Sequence, residues 1–178
     1  MTGTRIAVAG ATGRVGRHIV DVARERGHEV VPMARSLGVD VISGEGLDAA
    51  LAGVDCIIDA ATGPSPDQDE ATSFFTTAAR NLQAAGERAG VTRLVVVSIV
   101  GADRFPTGYG AATYAHEQAA AAGPIPARVV RAAQFHELVP QLIEWGTQGD
   151  TAYVQEMPTR AVAARTVAEA LVAQATDP

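Results

Sequence analysis

A glycine-rich turn directly after the first predicted strand leaves few folds open to this chain. Residues 10–16 read Gly-Ala-Thr-Gly-Arg-Val-Gly and stand between the apolar run Arg5–Ala9 and a helix predicted over Arg14–Arg26. In this spacing the first glycine allows a tight turn, the second lets the backbone approach a pyrophosphate, and the third lets the helix pack closely on the strand. We therefore predict a dinucleotide-binding loop, with a structural tight turn as the alternative. Its residues are Gly10, Ala11, Thr12, Gly13, Arg14, Val15 and Gly16.

Short apolar runs alternate with longer Ala-rich amphipathic runs along the chain. The run Leu94-Val95-Val96-Val97 has no polar position, which indicates a strand that is buried on both faces. Strands of this kind, alternating with helices, predict an α/β fold in which a doubly wound parallel sheet is covered by helices on both sides, as in the Rossmann fold. We expect one such domain over residues 1–178.

The boundaries of the predicted elements follow this alternation. Strands are predicted at Arg5–Ala9, Glu29–Ala34, Val39–Ile42, Val54–Ala60, Arg93–Val100, Ala127–Ala132 and Ala152–Gln155. Helices are predicted at Arg14–Arg26, Leu47–Ala52, Asp69–Ala89, Tyr109–Ala122, Phe135–Gly146 and Arg165–Thr176. The loops at 62–67 and 101–108 follow the carboxyl ends of strands, where open α/β sheets bind their ligands.

The end of the second predicted strand carries the signal for cofactor preference. Arg35 and Ser36 stand where an NAD-preferring site usually has an acidic residue that accepts from the ribose 2′-OH. A guanidinium favours a 2′-phosphate instead, and Arg14 could add to that charge. We therefore predict NADPH (NADP) as the cofactor, with NAD less favoured. Two solvated surface arginines are the alternative interpretation.

Small residues follow the strand predicted at Val54–Ala60. Ala60, Ala61 and Thr62 would let the chain pass close to the adenosine and its ribose, and they complete the predicted cofactor site. Asp59, just before them, is interpreted either as part of this site or as a partly buried structural acid.

Composition excludes several classes of function. The chain has 14 basic and 20 acidic residues, a formal net charge of −6 and no basic tract, so no nucleic-acid partner is expected. No apolar run approaches the roughly 20 residues that span a bilayer, and no secretory leader pattern is present, so no membrane partner is expected and a soluble cytoplasmic protein is predicted. Cys56 is expected to be a packed thiol, and the scattered histidines give no metal-ligand spacing.

The segments described above together resemble NmrA-like atypical short-chain dehydrogenases/reductases. The resemblance rests on the loop at residues 10–16, the strand that ends at Arg35-Ser36, the runs 54–60 and 95–98, and the stretch Val-Arg-Ala-Ala-Gln-Phe at 130–135. It implies a small NAD(P)H-binding protein with a Rossmann fold. Members of this family are often longer than this chain and build much of their substrate pocket from a C-terminal lobe, so that lobe is expected here to be small or truncated.

The resemblance also implies where catalytic residues would stand. Members of the superfamily use Ser, Tyr and Lys, with the lysine four residues after the tyrosine. Ser98 holds the place of the serine and Tyr109 begins the next predicted helix, but Thr113 stands where the lysine is expected, and Tyr114 lacks it as well. A tyrosine without a nearby cation stays protonated near neutral pH and is a poor base. Alcohol dehydrogenation by the Tyr-Lys mechanism is therefore not favoured.

Two histidines are candidates for the missing proton chemistry. His136 follows the strand predicted at Ala127–Ala132, on the edge where substrates bind, and is predicted to line the pocket. His116 stands beside Glu117 and Gln118 and is interpreted as part of a solvated helix face.

Two functions from different classes fit these residues. The first is an NADPH-dependent oxidoreductase that acts on a small carbonyl or a quinone, with Ser98, Tyr109 and His136 as candidate catalytic residues. The second is a non-catalytic NADP(H)-binding sensor that passes the redox state to a protein partner, which the missing lysine favours. Sugar-nucleotide epimerisation is a weaker alternative, because it also depends on the Tyr-Lys pair.

Overall fold

Five parallel strands form the central sheet of the protein. The structure is a computed structural model that describes residues 3–154, 156 and 159–177. The strands are β1 (Arg5–Ala9), β2 (Glu29–Met33), β3 (Cys56–Asp59), β4 (Arg93–Ile99) and β5 (Ala127–Ala132), and their order in the sheet is β2-β1-β3-β4-β5. Ala9 is in register with Met33 on one side and with Asp59 on the other. The carboxyl ends of these three strands are therefore level, at the point where the strand order switches direction.

Of the six α-helices in the described part of the chain, five cover the two faces of the sheet, and the fold class predicted from the sequence is confirmed. The six helices are α1 (Gly16–Glu25), α2 (Leu47–Leu51), α3 (Gln68–Ala89), α4 (Gly108–Ala121), α5 (Val139–Gly146) and α6 (Ala164–Thr176). Ile6 and Val8 of β1 pack in one core cluster with residues of α1 and α6. Ala7 and Ala9 pack in a second cluster with residues of α2, α3 and α4. Both faces of the strand are thus buried, which explains its continuous apolar sequence.

The strand predicted at Val39–Ile42 is wrong. In the described structure no strand pairs with the outer edge of β2, and residues 41–43 form a turn. The N–H of Asp40 donates to the carbonyl of Glu45 at 2.9 Å, and the N–H of Gly44 donates to the carbonyl of Asp40. Val39 and Val41 are nevertheless buried in the core. Because they alternate with exposed or half-exposed neighbours, the segment has the burial pattern of a strand. Its backbone hydrogen bonds, however, are those of a turn.

The chain between β5 and α6 forms a small excursion from the sheet. The helix predicted over Phe135–Gly146 begins as a tight helical turn at His136–Leu138 and continues as α5. A two-residue antiparallel pair, β6 (Thr147–Gln148) and β7 (Thr151–Ala152), follows it. The strand predicted at Ala152–Gln155 therefore ends at Ala152, and Gln155 lies outside the described residues. Val162 then pairs with Phe135 and returns the chain to the sheet before α6.

Cys56 lies in the centre of the sheet and is 1% exposed. Burial raises the pKa of its thiol to about 12, so the thiol stays protonated at neutral pH. The expectation of a packed core cysteine is confirmed. In the described part of the chain, no helix combines the length and the apolar character needed to cross a membrane.

Candidate dinucleotide site

Gly10 and Gly16 are glycines because the fold itself has no room for a side chain there. Gly10 has a φ of +73°, and a Cβ on it would lie 2.6 Å from the carbonyl oxygen of Ala60. A Cβ on Gly16 would collide with the carbonyl oxygen of Gly10 at the start of α1. The absence of these two side chains lets the loop close tightly between β1 and α1.

Gly13 differs from both, because the protein leaves space around it. It is exposed, and its N–H donates to the carbonyl of Gly10 at 2.9 Å. A Cβ on Gly13 would lie 3.1 Å from the carbonyl oxygen of Gly10. Apart from the chain neighbours of Gly13, no other atom of the described structure would lie within 4 Å of it. Packing within the protein therefore explains Gly10 and Gly16 better than it explains Gly13. The open side of Gly13 is where a phosphate could approach the backbone.

A cleft of about 350 Å³ opens beside this loop. It lies across the level ends of β1, β2 and β3, and its volume falls in the range of small-molecule sites. A second hollow of about 460 Å³ shares Ile42, Pro64 and Phe74 with it. The cleft is lined by Gly10, Thr12, Gly13, Met33, Ala34, Arg35, Val39, Asp40, Val41, Ile42, Ala60, Ala61, Thr62, Pro64 and Phe74.

Seven of the residues predicted to bind the cofactor share this cleft, and five do not line it. Those that line it are Gly10, Thr12, Gly13, Arg35, Ala60, Ala61 and Thr62. Those that stand behind or beside it are Ala11, Arg14, Val15, Gly16 and Ser36. Sequence reasoning missed the wall made by Val39–Ile42 because it read this segment as a strand. It also missed Phe74, whose place on the long helix α3 gives no local signal of a site.

Arg35 is an exposed cation on the wall that follows β2. It begins a tight helical turn at Arg35–Leu37, directly after the extended residue Ala34. The cleft also contains one carboxylate, that of Asp40, and its Oδ1 accepts the N–H of Ile42 at 2.7 Å. Arg35 therefore stands at the end of β2, where dinucleotide folds read the ribose, while Asp40 closes the neighbouring turn.

Asp59 and His116 form a buried pair behind the cleft, which corrects the interpretation of His116 as solvated. Each residue is 1% exposed, and His116 Nε2 lies 3.0 Å from Asp59 Oδ2. The imidazole also stacks on Phe75, with ring centroids 4.9 Å apart. The other carboxylate oxygen of Asp59 accepts the N–H of Ala61 at 3.0 Å. The pair therefore links α4 to the loop that follows β3.

Ser98 belongs to a second polar group, at the ends of β4 and β5. It is 2% exposed, and its hydroxyl donates to Oε1 of Glu117 on α4. Arg131 donates to both oxygens of the same carboxylate, at 2.9 and 2.8 Å, and to Asp103 at 2.7 Å. The hydrogen bond to Glu117 raises the pKa of the Arg131 guanidinium. The hydroxyl of Ser98 is thus engaged by a carboxylate of the protein.

Tyr109 packs at the start of α4 without a cation to activate it. Its ring meets Phe75 edge-on at 5.7 Å, and burial raises the pKa of its phenol. All 14 basic residues of the chain are arginines, so no lysine elsewhere in this chain replaces the one missing at Thr113. Tyr109 is therefore a protonated phenol near neutral pH, able to donate a hydrogen bond but poorly suited to act as a base.

His136 is absent from the residues that line the cleft. It is exposed, in the tight helical turn before α5, and its neighbour Glu137 accepts the N–H of Ala164 at the start of α6. No hydrogen bond within the described structure joins any two of the three candidate catalytic residues. The structure thus brings the predicted cofactor residues together more closely than it does the predicted catalytic ones.

The comparison with known proteins agrees with the class that the loop, cleft and sheet define. Residues 10–178 match the family model described as NAD(P)H-binding, and the chain belongs to that family. A sequence relative is the photosystem II assembly factor Ycf39 of Synechocystis sp., which is 34% identical over an alignment that covers 57% of this chain and 36% of the relative. The chain thus spans about a third of the length of this curated relative.

Two solved structures share the fold across nearly the whole chain. A Bacillus halodurans protein assigned as an NAD-dependent epimerase/dehydratase superposes with a TM-score of 0.73 at 21% identity, over 98% of this chain and 88% of that one. Citrobacter sp. triphenylmethane reductase, complexed with NADP(H), superposes with a TM-score of 0.69 at 20% identity, over 98% and 66%. This chain is thus an NAD(P)H-binding protein with the fold of both epimerases and reductases.

Proposed function

We propose that this chain is an NADPH-dependent oxidoreductase of the NmrA-like, atypical short-chain dehydrogenase type. Its substrate would be a small carbonyl compound or a quinone, and residues 1–178 would act as one dinucleotide-binding domain. The observation that carries the proposal is the cleft in which the open backbone of Gly13 and the cation of Arg35 face one space. A pyrophosphate and a 2′-phosphate are the two groups that this pair of features suits.

The residues of the cleft divide among the parts of the cofactor. The backbone of residues 10–13 would hold the pyrophosphate. Arg35 would hold the 2′-phosphate, together with the adjacent Ser36 and with Arg14 of the glycine loop. The adenosine would lie between the turn at Val39–Ile42 and the segment Ala60–Thr62, which both line the cleft. The resemblance to a fold that has been solved with NADP(H) supports this assignment.

The substrate would lie at the ends of β4 and β5, next along the sheet. Apolar side chains are exposed there on the loop after β4, where Val100 is 59% and Phe105 is 49% exposed. Val139 and Ile143 of α5 are exposed as well. An apolar surface at the edge of the sheet suits a flat, weakly polar acceptor better than a sugar nucleotide, and this favours a quinone or an aromatic carbonyl compound.

For this reaction the protein needs only to orient the substrate against the nicotinamide and to donate one hydrogen bond to the substrate. The reduced nicotinamide, when bound, supplies a hydride. Tyr109 is protonated and would donate a hydrogen bond to the oxygen that gains charge, and Ser98 is held by Glu117. After hydride transfer the product oxygen would take its proton from solvent. The reduction therefore needs no tyrosinate base, which is why it fits this site better than alcohol oxidation.

Arg35→Asp is expected to change the cofactor preference. We expect the ratio of dissociation constants, NADH over NADPH, to fall by roughly tenfold or more, because a carboxylate repels the 2′-phosphate and accepts from a 2′-OH. Isothermal titration calorimetry with both cofactors measures this ratio. Arg17→Asp, a change of equal charge at an exposed position of α1, is the matched control. An unchanged ratio would show that Arg35 is a solvated surface charge.

Tyr109→Phe is expected to lower reductase activity by less than about tenfold, or about 1.4 kcal/mol in the barrier. The physical reason is that Tyr109 contributes one hydrogen bond from a half-buried position, where water can replace the lost donor. Steady-state NADPH oxidation with the best quinone of a panel gives kcat/KM for both proteins. A thousandfold loss would mean that the tyrosine is a full acid-base catalyst despite the missing lysine.

A non-catalytic NADP(H) sensor is the second candidate, and the complete absence of lysine favours it. NADPH oxidation with a panel of quinones and aldehydes separates the two functions. Turnover that is saturable in both substrates supports the reductase. Tight NADPH binding without turnover of any acceptor in the panel supports the sensor, which would pass its state to a protein partner.

A further inference from the structure

The turn at Val39–Ile42 forms one wall of the cleft without the support of a strand ladder. Two hydrogen bonds close the turn. The N–H of Ile42 donates to Asp40 Oδ1, and the N–H of Asp40 donates to the carbonyl of Glu45. In the described structure no main-chain N–H donates to the carbonyl oxygens of Val41 or Ile42. The backbone therefore does not fix the orientation of these two carbonyls.

Asn81, on the middle of α3, holds both of them. Its Nδ2 donates to the carbonyl of Val41 at 2.9 Å and to that of Ile42 at 2.8 Å. A side-chain amide has two N–H donors on one nitrogen, and here both meet acceptors. Because carbonyls can only accept, the nitrogen and not the oxygen of the amide must face them. One side chain thus fixes two consecutive peptide groups of the wall.

Asn81 does this from outside the cleft. It is half-buried and is absent from the cleft lining, whereas Val41, Ile42 and Phe74 all line it. Phe74 lies on the same helix, two turns earlier, so α3 supplies one part of the wall directly and holds another part through Asn81. The wall in question adjoins Arg35, which marks the adenosine half of the cleft.

We propose that Asn81 is a positioning residue for the adenosine half of NADPH, an inference that rests on the proposed function. With Asn81 in place, the peptide groups of Val41 and Ile42 and the exposed side chain of Ile42 present a surface of fixed shape to the adenine. Without its two hydrogen bonds the peptide groups turn to find water, and the wall loses that shape. The loss concerns the adenosine half only, because the nicotinamide end lies towards β4 and β5.

The test compares half-ligands in one set of variants. Asn81→Asp keeps the shape of the side chain but removes both donors and sets a carboxylate against two carbonyls, and Asn81→Ala removes the side chain. Ala84→Ser, an exposed neutral position one turn further along α3, is the matched control. The dissociation constants of NADPH, 2′,5′-ADP and nicotinamide mononucleotide are measured by calorimetry or by NMR titration, well below the melting temperature of each protein.

We expect Asn81→Asp to weaken NADPH and 2′,5′-ADP by about tenfold or more while leaving nicotinamide mononucleotide unchanged. Asn81→Ala should weaken the binding of the same two ligands. This variant provides the test if Asn81→Asp does not fold. Equal affinities in wild type and both folded variants would overturn the role of Asn81, as would an equal loss for both half-ligands. If the wild type itself binds neither NADPH nor 2′,5′-ADP, the proposed function fails instead, so the two failures are distinguishable.

Discussion

Gly13→Asp is expected to abolish NADPH binding, weakening it by about a hundredfold or more, while the protein stays folded. The new Cβ has only the carbonyl of Gly10 close to it, at 3.1 Å, so the fold should accept the side chain. Its carboxylate would stand on the open side of the loop, where it blocks and repels the pyrophosphate. Calorimetry with NADPH measures the affinity, and a thermal melt confirms that the fold is retained.

Gly13→Ala is the control that separates bulk from charge. It adds the same Cβ without the carboxylate, and we expect a smaller loss of affinity than for Gly13→Asp. A Gly13→Asp protein that is folded and binds NADPH with unchanged affinity would show that the pyrophosphate does not approach this loop.

His116→Ala is expected to lower the free energy of unfolding by about 2–5 kcal/mol, because it empties a buried site and removes a hydrogen-bond partner of a buried carboxyl group. The substitution leaves the carboxylate of Asp59 in a site that is 1% exposed and also removes the ring that stacks on Phe75. Urea denaturation at neutral pH gives the difference in free energy.

Gln118→Ala, an exposed change two residues further along α4, should cost little and serves as the control. The double variant Asp59→Asn/His116→Ala should lose less than the sum of the two single changes, because both single changes break the same hydrogen bond. Losses that simply add would mean that the pair is not energetically coupled.

The sheet was predictable because its strands are continuous apolar runs. β1, β3 and β4 are buried on both faces, so their sequences leave no alternative to a sheet with two covered sides. Val39–Ile42 misled the prediction for a physical reason. A turn that buries Val39 and Val41 gives the same alternation of buried and exposed residues as a strand. Only the backbone hydrogen bonds distinguish the turn from the strand.

Parts of the site followed from local spacing, and other parts depended on contacts between distant residues. The glycine loop and Arg35 are local signals that follow single strands. The burial of His116 depends on Asp59, 57 residues earlier, and the support of the Val41 wall depends on Asn81, 40 residues later. Neighbouring Glu117 and Gln118 made the helix look solvated, although Glu117 is itself buried on the same face. NADP preference, the substrate and a cytoplasmic location stay predictions.

A crystal structure with NADPH bound would show directly whether the cleft holds the cofactor. We expect the pyrophosphate to lie against the backbone of residues 10–13 and the 2′-phosphate to lie within about 3 Å of the Arg35 guanidinium, a charge-assisted hydrogen bond. The adenine should lie between Val41 and Ala61. A cofactor whose 2′-phosphate is turned away from Arg35, or whose pyrophosphate does not approach Gly13, would contradict the proposed site.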